Sequence, residues 1–189
     1  LFLHLAQKRG WQPYGVEISR PAAAFARQEF GLEVFNGTLE QAQFPPESFD
    51  VVSLWDLIEH LDDPFGFLRE AARVLKPGGI IVILTPNHDS LITRMAYLLY
   101  HASARHFHKP LDLIYDYHHN WYFSRQTITR ALQQAGFGDV LRVDGMGAHV
   151  SRWQDVVRYP RVLEWGADAL DLVTERFGGA YRMIVYARK

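Results

Sequence analysis

The spacing of apolar positions changes repeatedly along the first half of the chain. In residues 1–8, apolar side chains at positions 1, 2, 3, 5 and 6 predict a buried helix that ends near Gly10. Residues 14–18 are a short apolar run fitting a strand. Ser19 then offers an N-cap and Pro21 a first-turn proline, predicting a helix that runs through Phe30 to a stop at Gly31. Residues 32–35 predict a second strand with Asn36-Gly37 as its exit turn, and Pro45-Pro46 marks a surface loop. Residues 49–54 predict a third strand. Residues 65–75 form an amphipathic helix pattern closed by Lys76-Pro77-Gly78-Gly79, and the five aliphatic residues 80–84 predict a strand buried on both faces. Strand and helix patterns alternating in this way predict parallel βαβ units with right-handed crossovers.

The second half is less regular. Residues 90–100 predict a helix, and 101–123 form an irregular stretch rich in histidine and aromatic residues. Ser124 caps a predicted helix over 125–135, stopped by Gly136. Late strands are predicted at 139–143 and 182–188, separated by a helical stretch from about Trp153 to Phe177. No internal repeat or interdomain linker interrupts the pattern, so one domain over residues 1–189 is expected.

Composition narrows the classes of function. Of 189 residues, 48% are hydrophobic and 22% charged, as in an ordinary globular chain. Lys and Arg number 20 against 21 Asp and Glu, so the chain has no global attraction for nucleic acid or anionic membrane, and no nucleic-acid partner is expected. The absence of cysteine excludes disulfides, thiolate catalysis and cysteine-based zinc sites. No run approaches the roughly 20 apolar residues that span a bilayer. The opening residues carry positive charge after their apolar run, the reverse of a signal peptide. A cytoplasmic location is expected.

The candidate chemistry begins at Glu17, an acid closing the first strand. Doubly wound sheets bind ligands beyond the carboxyl ends of their strands, and a carboxylate there can accept both hydroxyls of a ribose. Taken alone, it is also an ordinary solvated strand end. About twenty residues later Asn36-Gly37-Thr38-Leu39 closes the next strand, where a loop can cover a planar base or simply turn.

The most specific segment runs through residues 49–87. Phe49-Asp50-Val51-Val52 leads to Trp55-Asp56, then Glu59-His60, Asp63-Pro64, Leu75-Lys76-Pro77-Gly78-Gly79 and Thr85-Pro86-Asn87. This succession resembles the class I S-adenosylmethionine-dependent methyltransferases, in the branch of the ubiquinone-biosynthesis O-methyltransferases. The likeness extends from Leu1 to about Gly138. It implies an α/β, Rossmann-like, doubly wound and mostly parallel sheet, with S-adenosyl-L-methionine as cofactor. It also implies an enzyme that transfers a methyl group to a small aromatic or lipid-like acceptor.

By position, the resemblance makes Glu17 the ribose anchor with Ile18 packing near the adenine. Thr38 and Leu39 flank that ring, although the family often carries an acid where Thr38 stands. Trp55 occupies the cofactor contact beyond the strand that the family counts as its fourth. Lys76-Pro77-Gly78-Gly79 is expected to be structural, a helix stop and a tight strand entry. Some quinone O-methyltransferases hold a divalent metal with an acid-x-x-Glu-His cluster, a spacing that Asp56, Glu59 and His60 fit. Two carboxylates and an imidazole suit such an ion. Helix capping and a hydrogen bond to the loop explain the same residues and are preferred here, so no metal is expected, and His60 is retained as a catalytic base near the transferred methyl.

Residues 88–122 hold His88, His101, His106, His108, His118 and His119 with Tyr97, Tyr100, Phe107, Tyr115, Tyr117, Trp121 and Tyr122. The stretch is expected to be a substrate cap enclosing the acceptor, with an aromatic packing layer as the equal alternative. The family's first strand and its Gly-x-Gly-x-Gly loop have no counterpart, and residues 1–10 match the helix that follows them. A truncated domain is therefore expected, which by itself binds S-adenosylmethionine weakly or not at all. Two other classes compete: a noncatalytic binding module on the same scaffold, and a nicotinamide-dependent oxidoreductase using the same ribose acid. The second lacks a Tyr-x-x-x-Lys pair.

Overall fold

A computed structural model describes residues 1–115, 118–146 and 179–189. The chain divides into two compact units, Leu1–Ser48 and Phe49–Lys189.

In the first unit, helix α1 (Phe2–Lys8) precedes strand β1 (Tyr14–Glu17), helix α2 (Arg20–Phe30) and strand β2 (Glu33–Asn36). β1 and β2 pair in parallel, with Glu17 opposite Asn36. Ser19 caps α2 by accepting from the Ala22 N–H, and Gly31 ends it at a left-handed φ of 60°, as the pattern predicts. Gly15 is needed for packing: a Cβ there would lie 2.9 Å from Leu3 Cδ1 and 3.0 Å from Val34 Cγ2. Its missing side chain lets α1 and β2 close on β1.

In the second unit, strand β3 (Phe49–Trp55) leads through a 3-10 turn (Ile58–His60) to helix α3 (Pro64–Val74) and strand β4 (Leu75–Pro86). Asp63 caps α3 by accepting from the Gly66 N–H at 2.8 Å. Helices α4 (Leu91–Ala102), α5 (Lys109–Ile114) and α6 (Arg125–Gln134) follow, then strands β5 (Asp139–Met146) and β6 (Arg182–Arg188). The sheet order is β3-β4-β6-β5. β3 and β4 are parallel, whereas β6 runs antiparallel to both β4 and β5.

The core of this unit gathers Leu54, Ile58, Leu68, Leu75, Ile81, Ile83, Ile128, Leu132, Met183 and Val185, all nearly inaccessible to solvent. α3 and α6 supply Leu68, Ile128 and Leu132 at helical spacing, and β6 supplies Met183, Val185 and Ala187 at the alternation of a strand.

Most elements fall where the pattern predicts them, with two differences. Lys76–Gly79 does not separate α3 from a later strand. β4 begins at Leu75, and the register jumps from Phe49↔Leu75 to Val51↔Ile80, so these residues bulge out within the strand, with Gly78 at φ 77°. The stretch expected to be irregular also contains α5. The helix expected between Trp153 and Phe177 lies outside the described residues, as does Tyr117. No described helix is long and apolar enough to cross a membrane.

Candidate functional site

In the first unit the expected cofactor residues share the carboxyl ends of β1 and β2. The Glu17 carboxylate is held by the Ser19 N–H, which donates to Oε1 at 2.7 Å. Asn36 bridges the two strand ends, its Nδ2 donating to the Glu17 and Ile18 carbonyls at 2.8 and 3.0 Å, while the Gly37 N–H donates to the Glu17 carbonyl at 3.1 Å. Ile18 is 76% exposed, so an apolar side chain stands open beside an oriented carboxylate. Thr38 and Gln41 exchange hydrogen bonds that fix the next loop, and Leu39 is buried beneath it. Leu39 is thus part of the packing of this unit. The bridging role of Asn36 escaped the sequence, which marked it only as a turn residue.

In the second unit Trp55 ends β3 half exposed, its Nε1 donating to Ser53 Oγ at 3.1 Å. The following turn carries Asp56, Glu59 and His60. Asp56 has a left-handed φ of 47° and forms an ion pair with Arg182 of β6. Glu59 is 1% exposed and accepts from Thr85 Oγ1 of β4 at 3.0 Å. Burial pushes its carboxyl above the ordinary range, against the opposing pull of its hydrogen bonds. His60 is exposed, with Nδ1 3.0 Å from the carbonyl oxygen of His118.

The acid-x-x-Glu-His motif is therefore divided by the fold. The donor atoms that come together, all within 4.8 Å of one another, belong to Glu59, His60 and His119. One carboxylate and two imidazoles are a donor set that suits a divalent ion. It draws on His119, which the sequence offered as a metal ligand only in the pair His118-His119, a weak signal with no acid placed beside it.

Among the described residues of 88–122, two sets of ring contacts stand apart. Trp121 packs edge-on against Phe65 of α3, with ring centroids 5.8 Å apart, and stacks with the buried Phe123. His60, His119, Tyr122, Tyr115, His88, Tyr97 and His101 form a branched network of ring contacts instead, in which His88 and Tyr97 each meet Tyr115 and the touching rings have centroids 4.7–6.5 Å apart. Within it Tyr115 Oη lies 2.9 Å from Tyr97 Oη and 3.0 Å from His88 Nδ1. Burial, followed by the Tyr97 hydrogen bond, raises the Tyr115 phenol well above its ordinary value, so it stays protonated as a neutral hydrogen-bonding group. His60 follows β3 and His88 follows β4, so the array borders the carboxyl edge of the parallel strand pair.

A family model described as a methyltransferase domain matches residues 1–141. The chain belongs to the methyltransferase domain family. It is 38% identical over 77 residues to a probable S-adenosylmethionine-dependent methyltransferase of Mycobacterium tuberculosis, covering 40% of this chain and 28% of that protein. It is 34% identical over 88 residues to the ubiquinone biosynthesis O-methyltransferase of Aliivibrio fischeri, covering 43% of this chain and 38% of that one. The matched stretches thus span less than two-fifths of either relative. A solved methyltransferase from Archaeoglobus fulgidus superposes with a TM-score of 0.64 at 20% identity, covering 100% of this chain and 80% of that one. Its likeness shows the fold: the Rossmann-like architecture of class I methyltransferases. Glu17 closes β1 in the first unit, and Trp55 closes β3 in the second.

Proposed function

We propose that this methyltransferase domain moves a methyl group from S-adenosyl-L-methionine to a small aromatic or lipid-like acceptor. The sulfonium of that cofactor supplies an already activated methyl, leaving the protein to align the nucleophile and manage its proton. The residues of the first unit suit the nucleoside half. The Ser19 N–H orients the Glu17 carboxylate for two ribose hydroxyls, and the exposed Ile18 offers an apolar face to adenine. Thr38 and the buried Leu39 shape the neighbouring loop, and the half-exposed Trp55 ring gives the second unit a flat contact surface.

The observation that carries the acceptor class is the aromatic and imidazole array running from His60 to Tyr97. It combines flat apolar faces with uncharged hydroxyl groups, a surface matched to a planar or prenylated molecule bearing oxygen. Residues 88–122 act as the cap that presents it. Fixed positive charge in this segment is confined to Arg94, Arg105 and Lys109, against the basic stripe that a nucleic-acid acceptor would call for. His60 takes the proton of an acceptor hydroxyl as the oxygen attacks the methyl carbon.

The test is methyl transfer from labelled S-adenosylmethionine to a panel of catechols, hydroxylated prenylquinones, small amines and transfer RNA. Label in the phenolic or prenylated compounds supports the reading. Label confined to RNA or amines replaces the acceptor class, and failure of a protein carrying the complete domain to bind S-adenosylmethionine by calorimetry would favour a noncatalytic module.

A further inference from the structure

Five hydrogen bonds join residues 118–121 to the turn bearing Glu59 and His60. The Asn120 and Trp121 N–H groups both donate to the Glu59 carbonyl, at 2.8 and 3.1 Å. Asn120 Nδ2 donates to the His60 carbonyl at 3.0 Å, and Trp121 Nε1 donates to the Leu61 carbonyl at 2.9 Å. The fifth contact returns the other way, from His60 Nδ1 to the His118 carbonyl at 3.0 Å. The Trp121 ring is itself anchored between Phe65 and Phe123. Three successive carbonyls of the turn are thus engaged by two residues of one distant segment, which fixes both backbones against each other.

A carbonyl oxygen only accepts, so the ring nitrogen facing it must carry the hydrogen. In a neutral imidazole that leaves the other nitrogen with the lone pair. We propose that the clasp formed by Asn120 and Trp121 makes them positioning residues for His60, holding the His118 carbonyl so that His60 is the Nδ1–H tautomer and Nε2 is its proton-accepting atom. The inference deepens the reading of His60 as the base and rests on it for its catalytic consequence. The tautomer assignment itself rests on geometry alone. In the transfer step the acceptor O–H bond breaks, its proton goes to His60 Nε2, and the oxygen lone pair forms the bond to the methyl carbon. That carbon's bond to sulfur breaks, leaving the pair on the thioether.

The tautomer is read by two-bond nitrogen–proton NMR of the histidine rings in the full chain, with His60 assigned by His60→Gln. The expected signature is a protonated Nδ1 and an unprotonated Nε2. Trp121→Phe keeps the ring packing and removes one donor, while Asn120→Ala removes another. The double variant should show mixed tautomers and turn over the acceptor about 10-fold more slowly, with its KM for S-adenosylmethionine unchanged. A wild-type ring protonated on Nε2 overturns the proposal. So does a double variant that keeps the Nδ1–H signature, since the side chains of Asn120 and Trp121 would then not set the tautomer. If the signatures appear as expected but His60→Gln loses no turnover, the clasp stands and the base assignment falls. Should the double variant unfold, Trp121→Phe alone carries the same comparison at smaller amplitude.

Discussion

The guanidinium of Arg182, in the last strand, pairs with the carboxylate of Asp56 in the turn leaving β3. The pair reaches across β4, because β3 and β6 flank that strand and Asp56 follows the end of β3. It gives Asp56 a structural task, while the charge of Asp56 still reaches Glu59 and helps to raise that carboxyl. Asp56 also holds a left-handed φ of 47°, which Asp and Asn tolerate better than most residues. Arg182→Met should therefore cost about 1 kcal/mol of unfolding free energy, the upper range for a partly exposed pair. Asp56→Asn, which keeps the backbone preference, should cost no more than that, whereas Asp56→Val should cost more. Urea unfolding checks all three, and equal effects of Asn and Val would remove the backbone argument.

Glu59 predicts a pH dependence. Its folded pKa is raised above the ordinary 4.5 by burial, so the folded chain holds a proton that the unfolded chain has released. The stability contributed by that proton is full below the ordinary value and is lost as pH rises through the raised one. Glu59→Gln retains an acceptor for Thr85 Oγ1 and has no charge to bury. The variant should gain stability relative to wild type as pH rises from the ordinary carboxylate range, and unfolding curves at several pH values test this. A difference that is flat with pH would mean that folding does not shift the Glu59 carboxyl.

In a full-length version of the domain, Glu17→Ala should weaken S-adenosylmethionine binding by about 1.5–3 kcal/mol, the range for hydrogen bonds to a charged group. Asn36→Ala, which frees the two strand ends that Asn36 bridges, should cost a smaller amount, about 0.5–1.5 kcal/mol. Calorimetry showing unchanged affinity in Glu17→Ala would take the ribose role away from this residue.

Tyr115→Phe removes the hydroxyl that links Tyr97 to His88 while preserving the ring. It should raise the KM for a phenolic acceptor several-fold and leave cofactor affinity unchanged. Ultraviolet titration should also lose the phenol that resists ionisation above the ordinary tyrosine value. If the late-titrating phenol persists in the variant, another tyrosine occupies the shielded position.

What the sequence determined by itself was local. Ser19 and Ser124 cap helices with their own hydroxyls, Gly31 takes a left-handed φ, and the aliphatic run after Gly79 makes a strand. Each depends on residues within a few positions, so spacing alone reveals it. Glu17 at the end of β1 is legible for the same reason. Tertiary structure decided which of the motif residues meet. Asp56 goes to Arg182, Thr85 Oγ1 donates to Glu59, and His118, His119, Asn120 and Trp121 reach His60 and its turn from about sixty residues away. The bulge at Lys76–Gly79 and the antiparallel insertion of β6 between β4 and β5 were likewise settled by pairing. Backbone donors and acceptors must be satisfied wherever the packed layers bring them together. No property of a residue's near neighbours encodes which distant carbonyl it will face.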